Sequence, residues 1–267
     1  MNLTLAFSPC PNDTFIFDAL VNNKIDTCGI KFNIHMHDVE RLNKLSLIQK
    51  YDITKLSFNA YSECLNNYII LDSGSALGQN CGPILIKKPE TNLNKNSLIA
   101  IPGKLTTANL LFQLAYPNMQ NTKEILFSKI EDEVLNNQVD AGLIIHENRF
   151  TYEEKGLCKV KDLGDFWSSK YDLPIPLGGI MASRRLDLDI QKKVNMLIKN
   201  SIEFAFANPT SSLEYTYQHC QEMNKDVIDA HIKLYVNKYS LSLQEKGEKA
   251  INKLLDITST NSPNIFL

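Results

Sequence analysis

The sequence predicts an α/β protein of two lobes, and three features of the chain lead there. Strand-like and helix-like segments alternate through the first third, a polar stretch at residues 88–96 interrupts them, and a second alternating block runs up to a proline-rich stretch at residues 173–178. Beyond that point the pattern is wholly helical. In this order, residues 1–88 and 178–267 form a discontinuous first lobe that carries the C-terminal helices, and residues 89–177 form the second. The chain crosses near Lys88 and returns near Leu177. Two inter-lobe crossings then act as a hinge, and a central cleft is the expected ligand site.

Each element has a local cause. The apolar run at residues 3–7 reads as a strand. Pro9 and Pro11 end its ladder and oppose an early helix, so a helix is expected over residues 14–21, with Asn12 or Asp13 capping its first amides. Residues 29–36 alternate as a second strand, and residues 38–42 open a helix with acidic groups in its first turn. A strand at 53–56, a helix near 59–65, a strand at 68–71, a loop at 73–78 and a strand at 83–87 follow. The second block gives strands at 98–101, 124–127, 140–145 and 157–160, with helices at 107–116 and 130–137. Residues 173–181 read as a crossing that becomes a strand, and helices at 189–206, 211–220, 227–236 and 243–255 complete the chain.

Composition narrows the classes of function. With 28 basic and 30 acidic residues the net charge is −2, so no overall field attracts nucleic acid or an anionic membrane. Basic residues form no stripe interleaved with aromatics, which speaks against nucleic-acid binding. No apolar run approaches the roughly 20 residues that cross a bilayer, and the start lacks a positively charged leader, so a soluble, cytoplasmic protein is expected. Six cysteines show neither a C-x-x-C pair nor zinc-like spacing, which fits reduced thiols. The choice between a monomer and a homodimer stays open.

Four turns stand out, each at the carboxyl end of a strand, where open α/β folds bind ligands. The first is Ser8-Pro9-Cys10-Pro11-Asn12-Asp13-Thr14. The second is Lys55-Leu56-Ser57, where Lys55 and Ser57 share one strand face and could hold ligand oxygens or cap the next helix. In the third, Pro102-Gly103 leads into Thr106-Thr107-Ala108, whose hydroxyls and first-turn amides suit a carboxylate or serve as plain capping. Its spacing is not that of a phosphate loop. The fourth delivers His146 at the end of a buried-looking strand, where an imidazole can take a proton at neutral pH or serve structurally. Continued strand geometry would point Glu147 to the opposite face, so no His146–Glu147 dyad is implied. His35 and His37 share a strand face, but no further ligand stands at a metal-site spacing. His219 and His231 lie on amphipathic helices and read as surface or packing residues.

Together these turns resemble one family, the 1,4-dihydroxy-6-naphthoate synthases of the futalosine route to menaquinone. The resemblance is carried by Phe7-Ser8-Pro9-Cys10-Pro11-Asn12-Asp13-Thr14-Phe15-Ile16-Phe17, by Asp38-Val39-Glu40 with Leu42-Asn43, and by Thr54-Lys55-Leu56-Ser57. It continues in Pro102-Gly103, Thr106-Thr107-Ala108, Ala141-Gly142-Leu143-Ile144-Ile145-His146-Glu147, Arg149-Phe150-Thr151-Tyr152, and Leu173-Pro174 with Pro176-Leu177-Gly178. Ala230-His231 and Tyr235-Val236-Asn237 extend it late in the chain. The resemblance implies a fold like that of type 2 periplasmic binding proteins, used for catalysis in the cytoplasm. It implies cleavage of cyclic dehypoxanthinylfutalosine, a small-molecule carboxylate, with no metal and no organic cofactor. It puts the proton acceptor at His146 and substrate contacts at Lys55, Leu56, Ser57, Thr107 and Ala108, with Asn43 as a further contact. The alternatives are a chorismate dehydratase-like enzyme of the same pathway and a cytoplasmic carboxylate-binding sensor on the same fold.

Overall fold

The structure, a computed structural model, describes residues 1–79, 81–220, 224–258 and 264–267. It divides into two compact units, Met1–Gly78 with Pro176–Leu267, and Gln79–Ile175. In chain order the first unit holds β1 (Asn2–Phe7), α1 (Pro11–Val21), β2 (Lys31–Met36), α2 (Val39–Ser46), β3 (Ile53–Ser57), α3 (Phe58–Tyr61), β4 (Tyr68–Ile70) and β5 (Ala76–Gly78). The second holds β6 (Ile84–Lys87), β7 (Ile99–Ile101), α4 (Thr107–Ala115), β8 (Thr122–Glu124), α5 (Ile130–Leu135), β9 (Ala141–Ile144), β10 (Cys158–Asp162) and α6 (Leu163–Tyr171). The chain returns through β11 (Ile175–Ser183) to α7 (Leu188–Ala207), α8 (Pro209–His219), α9 (Lys225–Tyr235), α10 (Lys238–Leu241) and α11 (Gln244–Thr258).

The first sheet runs β2-β1-β3-β11-β4, with β5 paired to β11. Both β2 and β3 lie parallel to β1, so the carboxyl ends of these three strands share one edge. The returning β11 is antiparallel to β3, with Ile180 opposite Lys55 and Gly178 opposite Ser57. One face is covered by α1 and by the helices after β11. Phe7, Phe17, Leu20, Ile180, Ile198 and Ile202 are buried there, and the Phe7 and Phe17 rings stack with centroids 4.6 Å apart. The other face packs Ala6 against Leu42 of α2 and Tyr51. Burial of this apolar surface is the main stabilising term of such a layered unit.

The second sheet runs β10-β6-β9-β7-β8. Its central pair, β7 and β9, is parallel, with Ile99 opposite Ala141 and Ala100 opposite Gly142. Ile84, Ile86, Ala100, Ile144, Ile130 and Val134 bury one face under α5. A Cβ at Gly142 would lie 2.4 Å from Cγ2 of Ile130, so the absence of a side chain lets α5 sit directly on β9.

Several expectations are corrected. β6, expected in the first lobe, pairs with β9 and β10, so the chain passes between units near residue 79 and not near Lys88. The polar stretch at residues 88–96 is a surface connection from β6 to β7 inside the second unit, which fits its polar composition, with Leu93 its one aliphatic residue. The expected loop at 73–78 contains β5. The strand expected at 124–127 ends at Glu124, and Phe127 begins a short 3₁₀ turn. Helix α6 was not expected, although Asp162 caps it through the amides of Gly164 and Asp165. Helix α1 starts at Pro11, three residues before the expected start, because a proline at the first helical position suits its fixed φ and missing amide.

A Gly142→Ala substitution tests the close packing of α5 on β9. It should lower stability by about 1–3 kcal/mol through overpacking, read as a reduced urea midpoint, with the second unit affected first in hydrogen exchange.

Candidate functional site

The candidate residues of the first unit gather at the carboxyl edge of its parallel strands. Asp13, expected as a helix cap, accepts no bond from its own helix amides; Cys10 is the N-cap residue, without a side-chain cap. The Asp13 carboxylate turns back toward the strand end instead. Its Oδ2 accepts from the Ser8 amide at 3.1 Å and the Ser8 hydroxyl at 2.7 Å. Its Oδ1 accepts from Asn12 Nδ2 at 2.8 Å and from Lys55 Nζ at 2.9 Å. Lys55 leaves β3 to reach this carboxylate and also approaches the Gly74 carbonyl at 3.5 Å. Gly74 has φ +94°, and a Cβ there would meet Ile180 Cγ1 at 2.4 Å, so only glycine presents that carbonyl. The Lys55 and Asp13 side chains are 9% and 1% exposed, a buried ion pair.

Two residues along β3, Ser57 is held by Asn43 of α2. The Ser57 amide donates to Asn43 Oδ1 at 3.0 Å, while Asn43 Nδ2 donates to the Ser57 hydroxyl at 3.1 Å and approaches Glu40 Oε2 at 3.4 Å. Asn43 is completely buried, and one amide group thus fixes both backbone and side chain of Ser57. Leu56 between them is also completely buried, opposite Gly179 of β11, so its backbone is the part a ligand would address.

In the second unit the candidates sit at the carboxyl ends of the neighbouring parallel strands β7 and β9. After β7, the Thr106 hydroxyl donates to the Gly103 carbonyl at 2.8 Å and accepts from the Asn109 amide at 3.2 Å, which fixes the start of α4. Thr107 and Ala108 are the first two residues of that helix, buried at 2% and 4% exposure, where first-turn amides favour negative charge. After β9, His146 is half-buried with φ +60° and opens a 3₁₀ turn over His146–Phe150. A left-handed backbone is uncommon for a residue with a side chain and concentrates at functional sites. The strand has already ended at Ile144, so the strand alternation expected for His146 and Glu147 does not apply. The imidazole lies edge-on to Phe127, with centroids 5.0 Å apart. The turn is clamped from below: Arg149 donates to the Gly82 carbonyl and pairs with Asp162 at 2.9 Å, and Asn148 donates to Glu131.

Other sequence candidates fall elsewhere. His37 bonds the Tyr51 hydroxyl at 2.8 Å through Nε2, and the His35 ring lies 4.8 Å from the same tyrosine, so both imidazoles pack around Tyr51. Burial, with help from the Arg41 guanidinium, holds His37 below the usual imidazole range. His231 is completely buried and bonds Asn12 Oδ1 at 2.9 Å through Nε2. Burial pushes the Cys81 thiol up to about 12 and the Cys64 thiol to about 11, so neither offers a thiolate at neutral pH. Asn12 and Asp13 belong to a turn that stands out in the sequence, whereas His231 reads there as a surface or packing residue; the link of all three to Lys55 is what the sequence did not show. The available signal was Lys55 itself, since a lysine inside a buried strand requires a nearby anion.

Two α/β units, with the candidate residues near strand carboxyl ends, have a periplasmic-binding-protein-like fold. The structure aligns with a Candida albicans gene product described as exhibiting the generic periplasmic binding protein fold, at a TM-score of 0.72 and 13% identity over 99% of this chain and 93% of that one. Residues 3–260 match the family described as menaquinone biosynthesis, and the chain belongs to that family. It is 40% identical to the 1,4-dihydroxy-6-naphthoate synthase of Thermus thermophilus over 94% of this chain and 92% of the relative. It is 36% identical to the enzyme of the same name from Streptomyces coelicolor, over 95% and 91% respectively. A crystal structure of an Archaeoglobus fulgidus protein aligns at a TM-score of 0.90 with 34% identity, covering 96% of each chain.

Two measurements check this geometry. Asn43→Ala leaves the buried Ser57 amide without its acceptor and should cost about 1–3 kcal/mol in chemical denaturation, whereas Asn43→Asp keeps that acceptor. In the native protein at pH 8, iodoacetamide should modify exposed Cys28 while Cys64 and Cys81 react only after unfolding, read by peptide mass spectrometry.

Proposed function

We propose that this protein converts cyclic dehypoxanthinylfutalosine to 1,4-dihydroxy-6-naphthoate as a carbon–carbon lyase, with His146 as the proton acceptor. The observation that carries the proposal is the placement of His146. It is half-buried, held in a left-handed backbone conformation at the end of β9, and braced by Phe127. A neutral imidazole so placed removes a carbon-bound proton next to the substrate carbonyl. The electron pair left on carbon forms a ring double bond as the carbon–carbon bond to the sugar-derived part breaks; the pair of that bond leaves with the sugar-derived fragment, which takes a proton back from the His146 imidazolium, and aromatisation drives the sequence. General-base help of this kind is worth about 10²–10⁴ in rate, roughly 3–5 kcal/mol.

The remaining residues bind and orient. Lys55, Ser57 and Asn43 offer a cation, a hydroxyl and an amide at one sheet edge, with the Leu56 backbone between them. Thr107 and Ala108 offer a hydroxyl and helix amides to a carboxylate or ring oxygen. No helix among the described residues is long and apolar enough to cross a membrane. A cytoplasmic location, chemistry without metal or organic cofactor, and a small carboxylate as the substrate belong to the same proposal.

The test is turnover of purified substrate, followed as dihydroxynaphthoate formation in the ultraviolet and by mass spectrometry. Wild type should form product, and His146→Ala should lose about 10²–10⁴-fold in kcat while keeping its circular dichroism. Saturable binding without product would point to a sensor, and turnover of chorismate to the sibling dehydratase. A His146→Ala variant within a few fold of wild type would remove the base assignment.

A further inference from the structure

The candidate contacts leave unexplained a run of buried polar groups behind Lys55. From α9, His231 reaches Asn12 Oδ1 at 2.9 Å; from the start of α1, Asn12 Nδ2 reaches Asp13 Oδ1 at 2.8 Å; and Asp13 Oδ1 receives Lys55 Nζ at 2.9 Å. His231, Asn12 and Asp13 are 0%, 7% and 1% exposed, so solvent does not substitute for any link.

The chain of bonds has a direction. A carboxylate only accepts, so Asn12 must turn its Nδ2 toward Asp13 and its Oδ1 toward His231. His231 must therefore donate, which fixes its proton on Nε2. Asp13 has room for about four donors, and the Ser8 amide, the Ser8 hydroxyl, Asn12 and Lys55 supply them. With its acceptor positions filled, Asp13 is placed to hold a neighbour and not to contact substrate. The Lys55 ammonium has three donors; Asp13 and the Gly74 carbonyl engage two of them, leaving one for a ligand oxygen.

We propose that Asp13, held by Asn12 and His231, is a positioning residue that fixes the Lys55 ammonium in the orientation that binds a substrate oxygen, an inference that rests on Lys55 being a substrate contact as proposed above. Asp13 and His231 act only through Lys55. Loss of either therefore weakens substrate binding more than it slows the chemical step at His146.

The experiment is a double-mutant cycle between Asp13→Asn and Lys55→Met, read on KM and kcat with cyclic dehypoxanthinylfutalosine. Asp13→Asn alone should raise KM about tenfold, the scale of one charge-assisted hydrogen bond, with a smaller change in kcat. In the Lys55→Met background the same substitution should leave KM nearly unchanged, because the group it positions is gone. His231→Leu should shift KM in the same direction, and His231→Gln, which keeps a donor at similar reach, should recover most of that loss. Additive effects of Asp13→Asn and Lys55→Met, or an unchanged KM in Asp13→Asn, would overturn the proposal.

A second readout needs no substrate. In a nitrogen–proton correlation spectrum of the lysine ammonium groups, wild type should show a slowly exchanging Lys55 signal, assigned by its loss in Lys55→Met. That signal should vanish in Asp13→Asn and broaden in His231→Leu, and its persistence in both would refute the positioning chain. Absence of turnover by wild type would instead sink the substrate assignment, and these spectra would still decide the role of Asp13. Should Asp13→Asn fail to fold, His231→Leu and His231→Gln carry the test by the same spectra.

Discussion

The Asp13 carboxylate is buried at the first sheet edge and receives donors from a strand end, a helix start and a neighbouring strand. A buried charge of this kind is tolerated only when it is paired and its lone pairs are filled. Here the pairing fixes three things together: the Ser8–Asn12 turn after β1, the start of α1, and the side chain of Lys55 on β3. Removing one partner of a buried pair typically costs about 3–5 kcal/mol, because the other charge is then stranded. The edge that carries the first unit's candidate contacts is therefore fixed electrostatically, with the apolar core beneath it supplying most of the stability.

The second unit uses a different device for the same end. Its two candidate turns follow adjacent parallel strands, so the register of β7 and β9 sets their spacing. A capped helix start fixes Thr107, and a left-handed residue at the strand exit fixes His146. Glu131 of α5, beneath the His146 turn, receives Asn148 and pairs with Lys155 at 2.7 Å, tying that turn to the helix packed on β9. The strained backbone at His146 is supported by neighbours on several sides, the condition under which such conformations persist.

Much of this was legible from residues alone. The α/β alternation, the strands at 3–7, 53–56 and 140–145, and the turns that follow them carry strong local signals, because apolar periodicity and capping act over a few residues. His146, Lys55, Ser57 and Thr107 stand out by position near strand ends, and the structure puts Ser57 at the end of β3 with Lys55 two residues before it, His146 two residues past β9, and Thr107 at the start of α4. Expectations failed where pairing partners are distant in sequence. β6 looked like the end of the first lobe because the polar segment after it resembles a linker, and only its pairing with β9 and β10 assigns it to the second sheet.

The same division holds at the site. Local chemistry determined which turns are polar, where helices begin within a few residues, and which side chains carry a proton acceptor or a cation. Tertiary structure decided what those groups are bound to. Asp13 reads as a cap from its neighbours but serves Lys55, 42 positions away, and His231 reads as packing but bonds Asn12 across 219 positions. Such partners are chosen by the burial of charge and the geometry of a closed layer, which no short stretch of chain contains.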